Sequence, residues 1–287
     1  MPVGNEHVVT IDCLAEASVS RKAETAQALW RCANLGALPI LTDEDVRIVL
    51  KCSLSEDPFV RIGCVGILAA QCDQAHFASD LDALNTIWRH AGRGLQELST
   101  DVDPRVRELV ASCYGRFVQA GISPPSTLLP FVNDREIGPC LCAAAYLSDC
   151  EPLHNELAIS LERFLISGPK SARKAASNCL CKLGDVGRLI LEKGLGSDLP
   201  LVRLRCASEL LGDGYDSQRL LWLAEELLLR RVELPETDEG RVVTAAAAGL
   251  IAEIGSCSLQ SLVQLGALKS HSDARVRRAA VWALSRL

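Results

Sequence analysis

Thirteen cysteines and five histidines are the residues of this 287-residue chain that could most readily hold a metal or act as nucleophiles. Cys140 with Cys142, and Cys179 with Cys181, have the short spacing of metal pairs. On a helix, residues two apart point about 200° apart, so neither pair can close on one ion from an intact helix. His7, His76, His90, His154 and His271 lie far from one another and form neither a His-Glu pair nor an H-x-x-x-H. Asp213-Gly214-Tyr215-Asp216 lacks the alternating acids and the closing glutamate of a calcium loop. It reads as a turn that caps a helix starting near Ser217. The sequence has no G-x-S-x-G, no G-x-x-x-x-G-K and no G-x-G-x-x-G opening a helix. No catalytic, metal or cofactor-binding residue is expected.

The elements behind these residues follow from composition and period. Hydrophobic residues make up 48% of the chain but aromatics only 4%, so the core must be built from Leu, Ala, Val and Ile. Such a core suits close helix contacts better than a sheet. The sequence printed opens with no basic start leading into an apolar stretch, which points to reduced thiols and a cytoplasmic location. The apolar stretch Val242 to Ala252 is far short of a membrane span. A net charge of −6 disfavours general nucleic-acid binding.

One pattern recurs. Asp57-Pro58-Phe59-Val60-Arg61, Asp103-Pro104-Arg105-Val106-Arg107 and Asp273-Ala274-Arg275-Val276-Arg277 share a frame, and Asp198 to Arg203 is a looser copy. With the arginine as position zero, eight units are placed at Lys22, Arg61, Arg107, Gly138, Arg173, Arg203, Val243 and Arg277, spaced 30 to 46 residues apart. The apolar residue at minus one and the leucine at plus seven predict one buried helical stripe. Asp and Pro supply the cap and the first helical position. Amphipathic stretches before the turns predict first helices over Asp43–Leu54, Asp80–Leu98, Leu153–Ile166, Val186–Leu195, Gln218–Arg231 and Leu259–Lys269, with Thr42 capping the first of these. Cys64 and Cys206 at plus three, and Cys113 and Cys179 at plus six, stand where other units have alanine, so they are expected as small buried hydrophobes. Gly63 and Gly66, inside a second helix, are expected to allow close helix approach.

The D-P-x-V-R-x-x-A frame, with Cys64 in the alanine place, resembles the second-helix signature of HEAT repeats. The irregular spacing is also similar to the related armadillo repeats. The resemblance covers nearly the whole chain. It implies an all-α fold: a right-handed superhelical solenoid of about eight HEAT-like helix pairs over residues 1–287, with second helices lining a concave face. Metal hydroxylases of similar fold use His-Glu ligands, which are absent here.

Opposite the buried stripe, positions minus two, one, five and nine of the second helices form an exposed ridge. It reads Arg105, Glu108, Ser112 and Arg116 in the third unit; Ser171, Lys174, Asn178 and Lys182 in the fifth; and Arg275, Arg278, Trp282 and Arg286 in the last. Seven bases against one acid stand out in an acidic chain, whose acids should concentrate on first helices and in loops such as Glu233–Glu239. Arg105, Arg116, Lys174, Asn178, Lys182, Arg275, Arg278 and Trp282 are therefore the candidate partner-binding residues. The second and sixth units carry apolar ridges instead: Phe59, Ile62, Gly66 and Ala70, and Leu201, Leu204, Ser208 and Gly212. These ridges meet a partner, or the register is rotated in these units, or neighbouring helices cover them. Trp30, Trp88, Trp222 and Trp282 are expected mainly as partly buried core, with anchoring of a partner as the second use.

These features predict a non-catalytic scaffold or adaptor that binds another protein through an acidic segment, a cognate inhibitor or immunity-type binder being a special case. The alternative is an enzyme resembling the helical-repeat DNA glycosylases. It is disfavoured by the net charge, the scarce aromatics and the lack of a Trp with an Asp on the ridge. The apolar last repeat, Ala279 to Leu284, implies self-association, another partner, or continuation into a longer array.

Overall fold

The computed structural model describes residues 10–230 and 237–287. His7, Arg231 and the loop residues 233–236 lie outside them. Every regular element among the described residues is helical. The helices form two compact units, Met1–Leu153 and His154–Leu287.

In the first unit α1 (Ile11–Glu16), α3 (Asp43–Ser53), α5 (Leu81–Leu98) and the short α7 (Leu129–Val132) alternate with α2 (Val19–Asn34), α4 (Pro58–Phe77), α6 (Pro104–Gln119) and α8 (Ile137–Leu147). α2, α4, α6 and α8 lie side by side in that order, with α1, α3 and α5 in a second layer. In the second unit α9 (His154–Ser167), α11 (Gly184–Gly194), α13 (Ser217–Leu229) and α15 (Leu259–Leu268) alternate with α10 (Lys170–Leu180), α12 (Pro200–Gly212), α14 (Asp238–Ile254) and α16 (Ala274–Arg286). α10, α12, α14 and α16 are again neighbours in sequence order.

Local chemistry sets these starts. Asp57, Asp103 and Asp273 each cap a second helix by accepting the amide of Phe59, Arg105 and Arg275, at 2.8, 2.9 and 2.7 Å. Pro58, Pro104 and Pro200 begin their helices, where an amide would be unpaired anyway. Thr42 and Asp45 form a reciprocal capping box at α3. Asp216 caps α13 through the amides of Gln218 and Arg219, so the Asp213–Asp216 segment is indeed a helix-capping turn.

The predicted buried stripe is present. Val60, Val106, Ala172, Val202 and Val276 at minus one are enclosed, as are Leu29, Leu68, Leu180 and Leu210 at plus seven. Cys64, Cys113 and Cys206 are fully buried, while Cys179 is half-buried. Burial pushes the Cys206 thiol up to about 12, which keeps it neutral and hydrophobic.

Two registers need correction. In α8 the buried residues are Pro139, Cys140, Ala143, Ala144 and Leu147, while Ala145 is exposed; with Pro139 at minus one and Leu147 at plus seven, position zero is Cys140 rather than Gly138. In α14 Leu250 at the expected plus seven is buried, but Val242 and Ala246 are half-buried while Val243, Ala247 and Ile251 are enclosed, moving the frame one residue beyond the expected Val243. Neither helix begins with the D-P-x-V-R frame or its looser copies, which fix the units at Arg61, Arg107, Arg203 and Arg277.

The zero-position arginines tie turn to turn. The Arg61 guanidinium donates to both carboxylate oxygens of Asp101, at 2.7 and 3.0 Å, and to the carbonyls of Ser55 and Glu56. Arg107 repeats this with Asp134, at 2.6 and 2.8 Å, and with the carbonyls of Asp101 and Val102. Arg203 reaches Glu226 and the carbonyl of Leu195; Arg277 holds the carbonyls of His271 and Ser272. Each guanidinium thus satisfies turn carbonyls that the helices leave unpaired.

Gly63 shows why a small residue is needed at a crossing. A Cβ there would lie 2.6 Å from Ala26 Cβ and 2.9 Å from its backbone carbon, so α2 would have to move away from α4. Gly63→Ala is expected to destabilise the first unit by about 1–3 kcal/mol, read as a lowered urea midpoint.

Candidate partner-binding face

The second helices place the ridge residues, but local partners decide which remain available. In the first unit the Arg105 guanidinium folds back on Asp103, with donor distances of 3.1 and 2.7 Å, and lies 5.7 Å from the Phe59 ring centre. The hydrogen bond from the Arg105 side chain, joined by its backbone amide, outweighs desolvation and holds the Asp103 carboxyl below its ordinary range. Arg116 is held more firmly. It reaches Asp73 on α4 at 2.5 Å and Gln119 at 2.9 Å, and its guanidinium stands between Phe77 at 5.1 Å and Tyr146 at 5.4 Å. Tyr146 in turn lies flat against Gly115. Arg116 is therefore a clamp joining α4, α6 and α8. Arg116→Ala should lower stability by roughly 1–3 kcal/mol, measurable as a lowered urea midpoint for the first unit.

The apolar ridge of α4 divides. Phe59 is 55% exposed, whereas Ile62, Gly66 and Ala70 are buried. The Trp30 indole from α2 lies over Gly66, so a neighbouring helix covers that part of the ridge. Trp88 sits edge-on to Tyr114 and Phe117 in the core, at 5.8 and 5.1 Å between ring centres. The core expectation fails for Trp222, which is 64% exposed on α13.

In the second unit Arg275 repeats the Arg105 arrangement. It donates to Asp273 at 2.8 and 3.2 Å and to Asp238 at the start of α14. Hydrogen bonds from the Arg275 side chain and backbone hold the Asp273 carboxyl far below the usual carboxylate range. The Arg275 side-chain bond likewise lowers Asp238. Asn178, with its amide nitrogen turned toward Glu209, donates to that carboxylate and to the Lys174 carbonyl. Lys182 is exposed just beyond the end of α10. Lys174 and Arg278 are exposed and make no ion pair among the described residues; Arg278 Nε reaches only the Ala274 carbonyl, at 3.3 Å. Trp282 is 44% exposed, its ring edge 3.8 Å from where a Cβ of Gly249 would stand.

Between α10, α12 and α14 runs a groove of about 880 Å³. Leu201, Leu204, Val242 and Ala246 line it, with Lys170, Arg173 and Lys174 contributed by α10, Arg205 by α12 and Glu253 by α14. Of the sixth unit's ridge, Leu201, Leu204 and Ser208 line the groove, with Leu204 itself buried. Arg173 and Arg205 were missed because they fall between the four ridge positions, and Lys170 because it stands one residue before the first of them. A signal was present: α10 carries three cations in its first five residues, against the helix dipole.

Among the described residues no group of three or more His, Cys, Asp or Glu is placed to hold a metal, and no helix is long and apolar enough to cross a membrane.

Two layers of paired helices, joined by capped Asp-Pro turns and zero-position arginines, define an all-helical repeat fold of the HEAT and armadillo kind. No family model matches the chain, and no curated protein matches its sequence. Among solved structures it is similar to a chain of the complex in which Kap95p binds RanGDP, with a TM-score of 0.60 and 13% identity over 96% of this chain. This chain spans 40% of that longer one. An engineered protein matches at 19% identity over 96% of this chain and 77% of its own, with a TM-score of 0.45. A designed armadillo repeat protein matches at 13% identity over 96% and 98%, with a TM-score of 0.29. At these identities the likeness is one of fold.

Proposed function

We propose that this chain is a non-catalytic scaffold or adaptor, built as a single repeat array and acting in the cytoplasm, that binds another protein through its second-helix face. The observation that carries this reading is the second unit's open face. Lys174 and Arg278 stand there without carboxylate partners, Trp282 is exposed, and an apolar groove lies on the same row of helices. Solvated cations that merely decorate a surface need no apolar neighbour, whereas an interface combines a desolvated apolar centre with a charged rim. Unpaired cations in a chain of net charge −6 favour an acidic segment on the partner. Cognate inhibition of one partner is a special case of this use, and the apolar last repeat is a second candidate contact, for self-association. Kap95p, a binder of RanGDP, is an instance of a related fold used for protein binding.

The test is affinity capture from native lysate, with and without nuclease, using the intact chain. A protein that stays bound after nuclease treatment supports the reading. Capture of nucleic acid alone, with binding that falls steeply with salt, would overturn it in favour of a glycosylase-like protein.

A further inference from the structure

The groove in the second unit has a chemistry of its own, and its assignment to a ligand rests on the protein-binding reading. Its cationic side is the first turn of α10, where Lys170, Arg173 and Lys174 add to the positive end of the helix dipole. Lys170 and Lys174 have no ion-pair partner within 4 Å among the described residues, although Lys170 feels Asp238 at longer range. Arg173 occupies the place of the turn-tying arginines, yet its Nε is enclosed and has no hydrogen-bond partner among the described residues. In the tied turns of Arg61, Arg107 and Arg203 that nitrogen meets a carboxylate or a carbonyl. Beside this anion-seeking turn, Leu201, Val242 and Ala246 give an apolar floor that water solvates poorly.

We propose that the groove between α10, α12 and α14 binds an extended acidic peptide segment of a partner protein, one that sets Asp or Glu carboxylates on the first turn of α10 and an aliphatic side chain on the floor. A nucleic-acid backbone meets the cations but leaves the floor without a partner and brings phosphates toward Glu253. A purely acidic peptide leaves the floor wet, and a basic one repels α10. Only the combined acidic and aliphatic pattern matches both walls. The groove extends over three successive helices, a length suited to extended chain rather than to a single side chain.

A random-peptide display library selected on the intact chain tests this. The expected consensus is an aliphatic residue flanked by Asp or Glu. The enriched peptides should lose about tenfold or more in affinity to Lys170→Glu/Lys174→Glu, a change of about 1.4 kcal/mol. They should lose a similar amount to Ala246→Glu, which alters the floor without touching α10. Circular dichroism and the urea midpoint establish that both variants are folded. A basic consensus, no enrichment, or peptides indifferent to both variants would overturn the groove assignment. So would displacement of peptides by duplex DNA that binds the groove more tightly. Lysate capture separates the two readings: a nuclease-resistant partner that binds these variants as well as the parent chain leaves the scaffold standing and removes the groove.

Discussion

Arg107→Ala is expected to destabilise the first unit by about 3–5 kcal/mol, a large share of the 5–15 kcal/mol typical of a whole domain. Arg107 and Asp134 side chains are each 8% exposed, and the guanidinium also holds the carbonyls of Asp101 and Val102. Removing it leaves a buried carboxylate without its counter-charge and two turn carbonyls without their donor. The exposed pair Arg47 with Glu44 is the control, since Arg47→Ala should change stability by no more than about 0.5 kcal/mol. Urea unfolding followed by circular dichroism reads both. The pH dependence carries a second check. Burial raises the Asp134 carboxyl, but the Arg107 hydrogen bond and the Glu136 amide outweigh it, so its folded pKa lies below the ordinary value. A depressed carboxylate contributes stability above its unfolded pKa of about 3.9 and loses it as pH falls through the folded value. The gap between parent and Arg107→Ala should therefore be full near neutrality and shrink below about pH 4. A gap that does not change with pH would show that the pair is not what holds the turn.

Reversing Lys174 and Arg278 together to Glu is expected to weaken the captured partner about 100-fold, near 2.7 kcal/mol, while unfolding stays within about 0.5 kcal/mol of the parent. The two effects separate because neither side chain is ion-paired among the described residues, so their reversal breaks no internal charge pair. Arg116 and Arg275 are poorer choices for this experiment. Arg116 clamps three helices and Arg275 ties Asp273 to Asp238, so changing either mixes binding with stability. Raised salt should weaken the parent's binding and act little on the variant. Equal affinity for the two forms would remove this face from the interface.

The sequence frame D-P-x-V-R made the helix pairs legible because it encodes three physical necessities at once: a cap, a helical start and an arginine for the next turn's carbonyls. At Gly138 and Val243, two of the units without the frame, the register slips by two residues and by one. The ridge was legible as positions but not as availability. Arg105 and Arg275, both at minus two, fall within reach of their own capping aspartates, a fold-back that spacing along one helix face does not reveal. The cover over Gly66 came from Trp30, on another helix altogether. The groove needed Leu201, Val242 and Lys170 from three helices, and so became visible only once α10, α12 and α14 were set side by side.

The most direct test of the protein-binding face is hydrogen exchange by mass spectrometry on the chain with and without its captured partner. New protection is expected in α10, α12 and α14, extending to α16 around Trp282, with little change in α9, α11 and α13. Protection confined to α9, α11 and α13, or to the first unit, would contradict a binding face on the second helices.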